Sequence, residues 1–174
     1  DFWRSRRVTR WSGSWEQLSG LIPDFETRDF RAADGKDENQ YLQTVVRLPR
    51  TLLETPIPVG VVSHSYVLAP HREVAELCFK GVREAGIETH QLQCGLGLSE
   101  LSEWMNLRIS LPDEYDHTPR DGEKIQLRLE CFNTVEGSSR LMIFLGWFRF
   151  VCSNGMTFGE TKVERRDVHR RGMN

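Results

Sequence analysis

No apolar run in this chain approaches the ~20 residues a bilayer-spanning helix needs, and Asp1-Phe2-Trp3-Arg4 is not built like the start of a signal peptide. The expected setting is cytoplasmic, without a membrane. Cysteine is sparse: Cys78, Cys94, Cys131 and Cys152 stand far apart with no C-x-x-C pair, which argues against a zinc ribbon or a redox motif. Three of the four fall in apolar, periodic segments where a thiol behaves as a small hydrophobe. The histidines, His64, His71, His90, His117 and His169, show no metal-ligand spacing. Walker loops, dinucleotide fingerprints, G-x-S-x-G elbows and H-E-x-x-H helices are all missing. No cofactor or metal is expected, and an enzyme has no motif to support it. Lysine is scarce as well: only four of the 23 basic residues are Lys. The Arg majority carries planar forks suited to phosphate and carboxylate.

What is present is ordinary globular composition, 39% hydrophobic and 28% charged over 174 residues, enough for one core that buries roughly two-thirds of the unfolded surface. The net charge of −2 is unevenly spread. Arg4, Arg6, Arg7 and Arg10 against Asp1 give residues 1–11 a net +3, residues 160–174 carry +2, and the middle holds −7. The two ends are therefore the candidate anion-binding surfaces.

Residues 1–40 read as an irregular arm and loop, and residues 41–174 as a single α+β domain. Tyr41 to Leu48 and Pro58 to Leu68 read as strands between Pro-marked breaks. Pro70 then opens a helix over about 71–85, whose apolar stripe of Val74, Leu77, Cys78, Gly81, Val82 and Ala85 must face a sheet, and which Gly86 ends. Glu76 and Lys80 stand four apart on its outer face. Beyond it the period drops to two. Leu107, Ile109 and Leu111, then Ile125, Leu127, Leu129 and Cys131, alternate with polar residues, predicting strands with one buried and one wet face. Arg140 to Cys152, apolar on both faces, reads as the central strand. Asn154-Gly155 reads as a tight turn and Met156 to Val163 as the return. Residues 103–163 thus form an antiparallel meander with the earlier strands at its margins. Gly95-Leu96-Gly97-Leu98-Ser99 reads as a bulge or turn.

Three features could carry function. Arg149 shares a face with Leu145, Trp147 and Val151, and a buried guanidinium needs a partner: Glu130, Glu136, a backbone carbonyl, or an external phosphate or carboxylate. The loop Asn133 to Ser139, with Glu136 and Ser138, is explained by a plain hairpin connection, or forms a polar site with Arg149 and Asn154. Such a site would require the long strand to bend, because successive meander turns lie at opposite ends. In the arm, Trp3, Trp11 and Trp15 interleave with Arg4, Arg6, Arg7 and Arg10, a combination that suits single-stranded nucleic acid. The alternative packs the aromatics on the core and leaves the arginines solvated.

Val59-Gly60-Val61-Val62 through Tyr66, the helix, the 133–139 loop and above all Arg149-Phe150-Val151-Cys152-Ser153-Asn154-Gly155-Met156 resemble the phage/plasmid-like protein family, over about residues 57–174. That family is a domain of unknown function, with an Asn-Ser-His/Tyr-Asp-Gly-Ser loop and an Arg-x-Val-Cys-x-Asn-Gly strand end. Here Val135 and Glu136 replace the His/Tyr and Asp. His169-Arg170-Arg171-Gly172 resembles the family's basic, His-containing stretch. The resemblance implies DNA transactions on mobile elements or interference with host defence. A more distant likeness to single-strand annealing proteins is one of fold. The leading expectation is a nucleic-acid-binding accessory protein contacting DNA or RNA through Trp3, Arg4, Arg6, Arg7, Arg10, Trp11, Arg165, Arg166, Arg170 and Arg171. A protein-binding inhibitor of a host defence complex is the alternative, followed by an enzyme built around Arg149, Asn133 and Cys152. An oligomer is compatible with each.

Overall fold

The switch from period 3.6 to period 2 after Gly86 corresponds to one long helix laid on an antiparallel sheet, the α+β class expected. The structure, a computed structural model, describes residues 7–31, 35, 37–120, 122, 124–150 and 157–167, with 149–150 and 157–167 described by their backbone alone. The strands are β1 (Val8–Gly13), β2 (Phe25–Arg31), β3 (Glu38–Arg47), β4 (Ile57–Ser63), β5 (Cys94–Ser99), β6 (Trp104–Ser110), β7 (Gln126–Thr134), β8 (Leu141–Phe150) and β9 (Thr157–Asp167). The helices are α1 (Trp15–Ser19) and α2 (His71–Glu84). Among the described residues they form a six-stranded sheet in the order β1-β5-β6-β7-β8-β9 and a three-stranded sheet in the order β2-β3-β4. All pairings are antiparallel. β5 to β9 form the meander.

α2 buries His71, Val74, Ala75, Cys78, Phe79 and Val82 against Leu96, Leu98, Met105, Leu107, Ile109 and Cys131 of the large sheet. The stripe is turned from the expected one. Leu77 is 62% exposed and Gly81 and Ala85 face out, because the aromatic bulk of Phe79 sets the seam at 71, 74, 75, 78, 79 and 82. Lys80 pairs with Glu84 at 3.8 Å rather than with Glu76. Gly86 follows the helix at φ +80°, a left-handed turn that favours glycine.

Within residues 7–31, where an irregular arm and loop was expected, the chain forms β1, α1 and β2. β1 adds an edge to the large sheet beside β5. Ser14 and Gln17 cap α1 reciprocally, Gln17 Oε1 accepting from Ser14 N–H at 2.9 Å. Trp15 packs on Phe79 with ring centroids 4.9 Å apart. β2 pairs with β3. The glycine run is strand β5: Gly95 and Gly97 leave room for Arg108 and Val8 on the face away from α2.

Two further expectations change. β3 and β4 do not flank the meander but make the separate small sheet. β8 is next to an edge, and β6 and β7 hold the centre. β8 is apolar on both faces for another reason: Leu141, Ile143 and Leu145 pack on the core, while Phe144 meets Phe132 edge-on at 6.1 Å across the opposite face. That opposite face is only partly wet. Arg128 and Glu130 are 2% and 5% exposed, Glu130 Oε1 lies 3.3 Å from Arg108 Nε and 3.7 Å from Arg128 Nη1, and the Arg128 guanidinium sits 5.1 Å over the Phe148 ring. Burial lowers the Arg128 pKa, with Glu130 opposing the shift and Arg108 adding to it.

Candidate functional site

The small sheet abuts the end of the large one where the β5–β6 turn and the β7–β8 loop emerge, and two groups of polar side chains gather at that junction. The first is a structural joint. His71 and Asn133 have no solvent exposure. Asn133 Nδ2 donates to the Ala69 carbonyl and to His71 Nδ1, both at 2.9 Å. His71 Nε2 lies 3.0 Å from the Ser102 carbonyl. An oxygen acceptor at Nε2 and an N–H donor at Nδ1 specify the neutral Nε2–H tautomer.

Glu136 accepts from Ser138 N–H at 2.6 Å, from Ser138 Oγ at 2.5 Å and from the Trp104 indole N–H. Tyr66 Oη donates to the Val135 carbonyl at 2.9 Å, and its phenol pKa is raised first by burial and then by the Glu136 charge. β4 presses so closely here that a Cβ on Gly60 would lie 2.5 Å from Glu136 Cβ. The loop Asn133 to Ser139 therefore closes a hairpin and welds it to the small sheet, with its carboxylate already occupied.

Arg149 lies elsewhere. It stands eight residues along β8 from Leu141, opposite Phe158, roughly 27 Å from the loop at strand spacing. Its side chain is outside the described part, as are Asn154 and Cys152. The carboxylates expected to meet it have other partners: Glu130 pairs with Arg108 and Arg128, and Glu136 with Trp104 and Ser138.

The second group is a cleft of about 380 Å³ lined by Arg7, Thr9 and Trp11 of the β1 segment, Arg47 at the end of β3, Arg50 and Glu54 of the β3–β4 loop, Leu98 and Ser99 at the end of β5, and Glu100 and Ser102 of the β5–β6 turn. Arg47 and Ile57 are register partners where β3 and β4 open into their loop. Arg47 Nη1 donates to the Leu101 carbonyl at 3.5 Å, and Arg50 Nη2 to Ser102 Oγ at 3.2 Å. Arg47 Nε is buried and meets no acceptor among the described residues. Ser102 holds φ +61°, unusual for a residue with a Cβ. Its N–H donates to the Ser99 carbonyl at 2.8 Å, so the turn is pinned from both sides. Two carboxylates, Glu54 and Glu100, line the same space, and Glu54 Oε2 accepts from Arg50 N–H at 2.9 Å.

Of the residues expected to bind nucleic acid, the structure brings Arg7 and Trp11 to this cleft. Trp11 also packs against the core, as the alternative reading of the arm's aromatics has it. Arg10 pairs with Gly97 and does not line the cleft. Arg165 and Arg166 lie on β9 opposite Ile143 and Met142. β1 and β9 are the two edges of the sheet, so the described basic residues Arg10 on β1 and Arg165 and Arg166 on β9 stand five strand spacings apart, roughly 24 Å on a flat sheet. Trp3, Arg4, Arg6, Arg170 and Arg171 fall outside the described residues. Sequence reasoning missed Arg47 and Arg50. Their signal was an Arg pair in the Pro-bounded turn Arg47-Leu48-Pro49-Arg50, but only the fold carries that turn to β1.

Among the described residues no helix is long and apolar enough to cross a membrane, and no group of three or more His, Cys, Asp or Glu is placed to hold a metal. The molecule is an α+β domain with a welded junction between two antiparallel sheets and an arginine-lined cleft beside it. The chain belongs to the family described as Domain of unknown function (DUF932), whose model matches residues 58–172. No curated protein and no solved structure matches the chain. The matched segment holds Glu100 and Ser102, whereas the cleft's three arginines lie ahead of it.

Proposed function

We propose that the protein binds nucleic acid, as an accessory factor in DNA or RNA transactions of mobile genetic elements, with the arginine-lined cleft seating backbone phosphates. The observation that carries this reading is the convergence of Arg7, Arg47 and Arg50 from two separated segments beside Trp11, with Arg47 Nε enclosed and without an acceptor among the described residues. Planar guanidinium forks converging on one cleft suit the oxygens of a phosphate. The cleft falls in the roughly 300–1,000 Å³ range of small-ligand pockets, matching a nucleotide unit better than a folded protein surface. Glu54 and Glu100 reduce its charge to a net +1. That balance favours the singly charged phosphodiester over a terminal phosphate with two charges. Trp11 at the same wall offers part of an indole for a base or sugar to rest on.

The test is the binding of labelled single- and double-stranded DNA and RNA across a salt series. Up to three neutralised phosphates set a log-affinity against log-salt slope of no more than about −2 on a single strand. Absence of affinity for every nucleic acid at low salt would remove the reading.

A further inference from the structure

Between the cleft-lining residues Arg50 and Glu54, the β3–β4 loop carries Leu52 and Leu53, exposed at 105% and 97% of the reference area. Isolated exposed leucines are common, but two adjacent ones at the tip of a fixed turn present an apolar edge. Glu54 N–H donates to the Thr51 carbonyl at 3.2 Å, and Arg50 N–H to Glu54 Oε2 at 2.9 Å, so the turn is tied across its base. Pro49 and Pro56 stiffen the flanks. Arg47 and Arg50 in turn hold the loop's root to Leu101 and Ser102. The tip is thus a rigid projection at the rim of the cleft.

We infer that Leu52 and Leu53 form an apolar wedge that enters between adjacent bases of the strand whose phosphates Arg47 and Arg50 hold. This rests on the nucleic-acid reading above and adds what the protein does to the strand. The charge arrangement argues for this occupant, since a backbone drawn to the arginines brings its bases to the loop next to them. Leucine side chains make no hydrogen bonds, so the wedge tolerates any sequence. It acts best where stacking is weakest: on a single strand, at a junction between single and double strand, or at a pyrimidine–purine step.

The experiment uses the whole protein and a short DNA single strand carrying 2-aminopurine, whose fluorescence rises when it unstacks, together with the same reporter at a duplex junction. The wild type should raise the fluorescence several-fold at saturation. A Leu52→Ser, Leu53→Ser double variant, changed only at exposed positions, should keep its melting temperature and its salt slope. It should lose the fluorescence rise and bind roughly tenfold more weakly. A double variant that keeps both the rise and the affinity would overturn the wedge and leave phosphate binding standing. Absence of wild-type binding to any nucleic acid would overturn both. So would wild-type binding to phosphatidylglycerol–phosphatidylcholine vesicles that the double variant loses, with nucleic acid unbound, since the tip would then serve a lipid surface.

Discussion

Asn133 Nδ2 lies 2.9 Å from His71 Nδ1, and neither residue touches solvent; this bond ties the end of β7 to the first turn of α2. Asn133→Ala removes the donor to both His71 and the Ala69 carbonyl inside a dry joint. A loss of about 2–4 kcal/mol is expected in urea unfolding. Ser138→Ala, at an exposed position supporting Glu136, should cost about 1 kcal/mol or less. Equal effects would mean the bond does not secure the start of α2 to β7.

The position of the helix seam gives a second test. Val82→Asp places a charge in the core and should cost several kcal/mol, whereas Leu77→Asp and Arg83→Asp should stay within about 0.5 kcal/mol. Thermal melts of the three variants measure this. A large loss for Leu77→Asp would return the seam to the stripe legible in the sequence.

That contrast shows what the sequence made legible. α2 and strands β6 and β7 announced themselves through a sustained period, a signal that survives without tertiary context, while β8 was legible as an apolar run and β9 as its return. β1 and β5 did not. β1 is short and alternates Arg, Trp and Ser, and β5 contains two glycines that only the side chains of neighbouring strands explain. β8 looked central because apolarity on both faces usually means two covered faces, whereas here one face is an aromatic and arginine cluster. The cleft was half legible: Arg7 and Trp11 stood out as an aromatic and basic arm, but Arg47 and Arg50 join them through the fold, which no spacing encodes.

Alkaline pH supplies a third test. Burial, with Glu16 adding to it, pushes the Cys94 thiol up to about 11 from an ordinary 9.0. A raised folded-state pKa contributes stability below the unfolded value and loses it as pH climbs through the folded one. Stability should therefore fall between about pH 9 and 11, by about 2 kcal/mol for Cys94. Native Cys94 should resist a thiol reagent at pH 8. A Cys94→Ala variant with an unchanged alkaline slope would contradict the assignment.

Close backbone approach gives a fourth. Gly60→Ala forces a Cβ to within 2.5 Å of Glu136 Cβ, so β4 or the loop must shift. A loss of about 1–3 kcal/mol is expected by calorimetry, while Gly20→Ala, where nothing lies within 4 Å, should be close to neutral. A neutral Gly60→Ala would show that the two sheets are not pressed together at this point.

The most direct measurement is the salt dependence of single-strand binding for the wild type and an Arg47→Gln, Arg50→Gln variant, with folding checked by circular dichroism. If the cleft seats phosphates, the variant should remain folded, bind more weakly at low salt, and show a slope shallower by about 1.4, or about 0.7 for each phosphate no longer neutralised. A folded variant with the wild type's slope and affinity would contradict phosphate binding in this cleft.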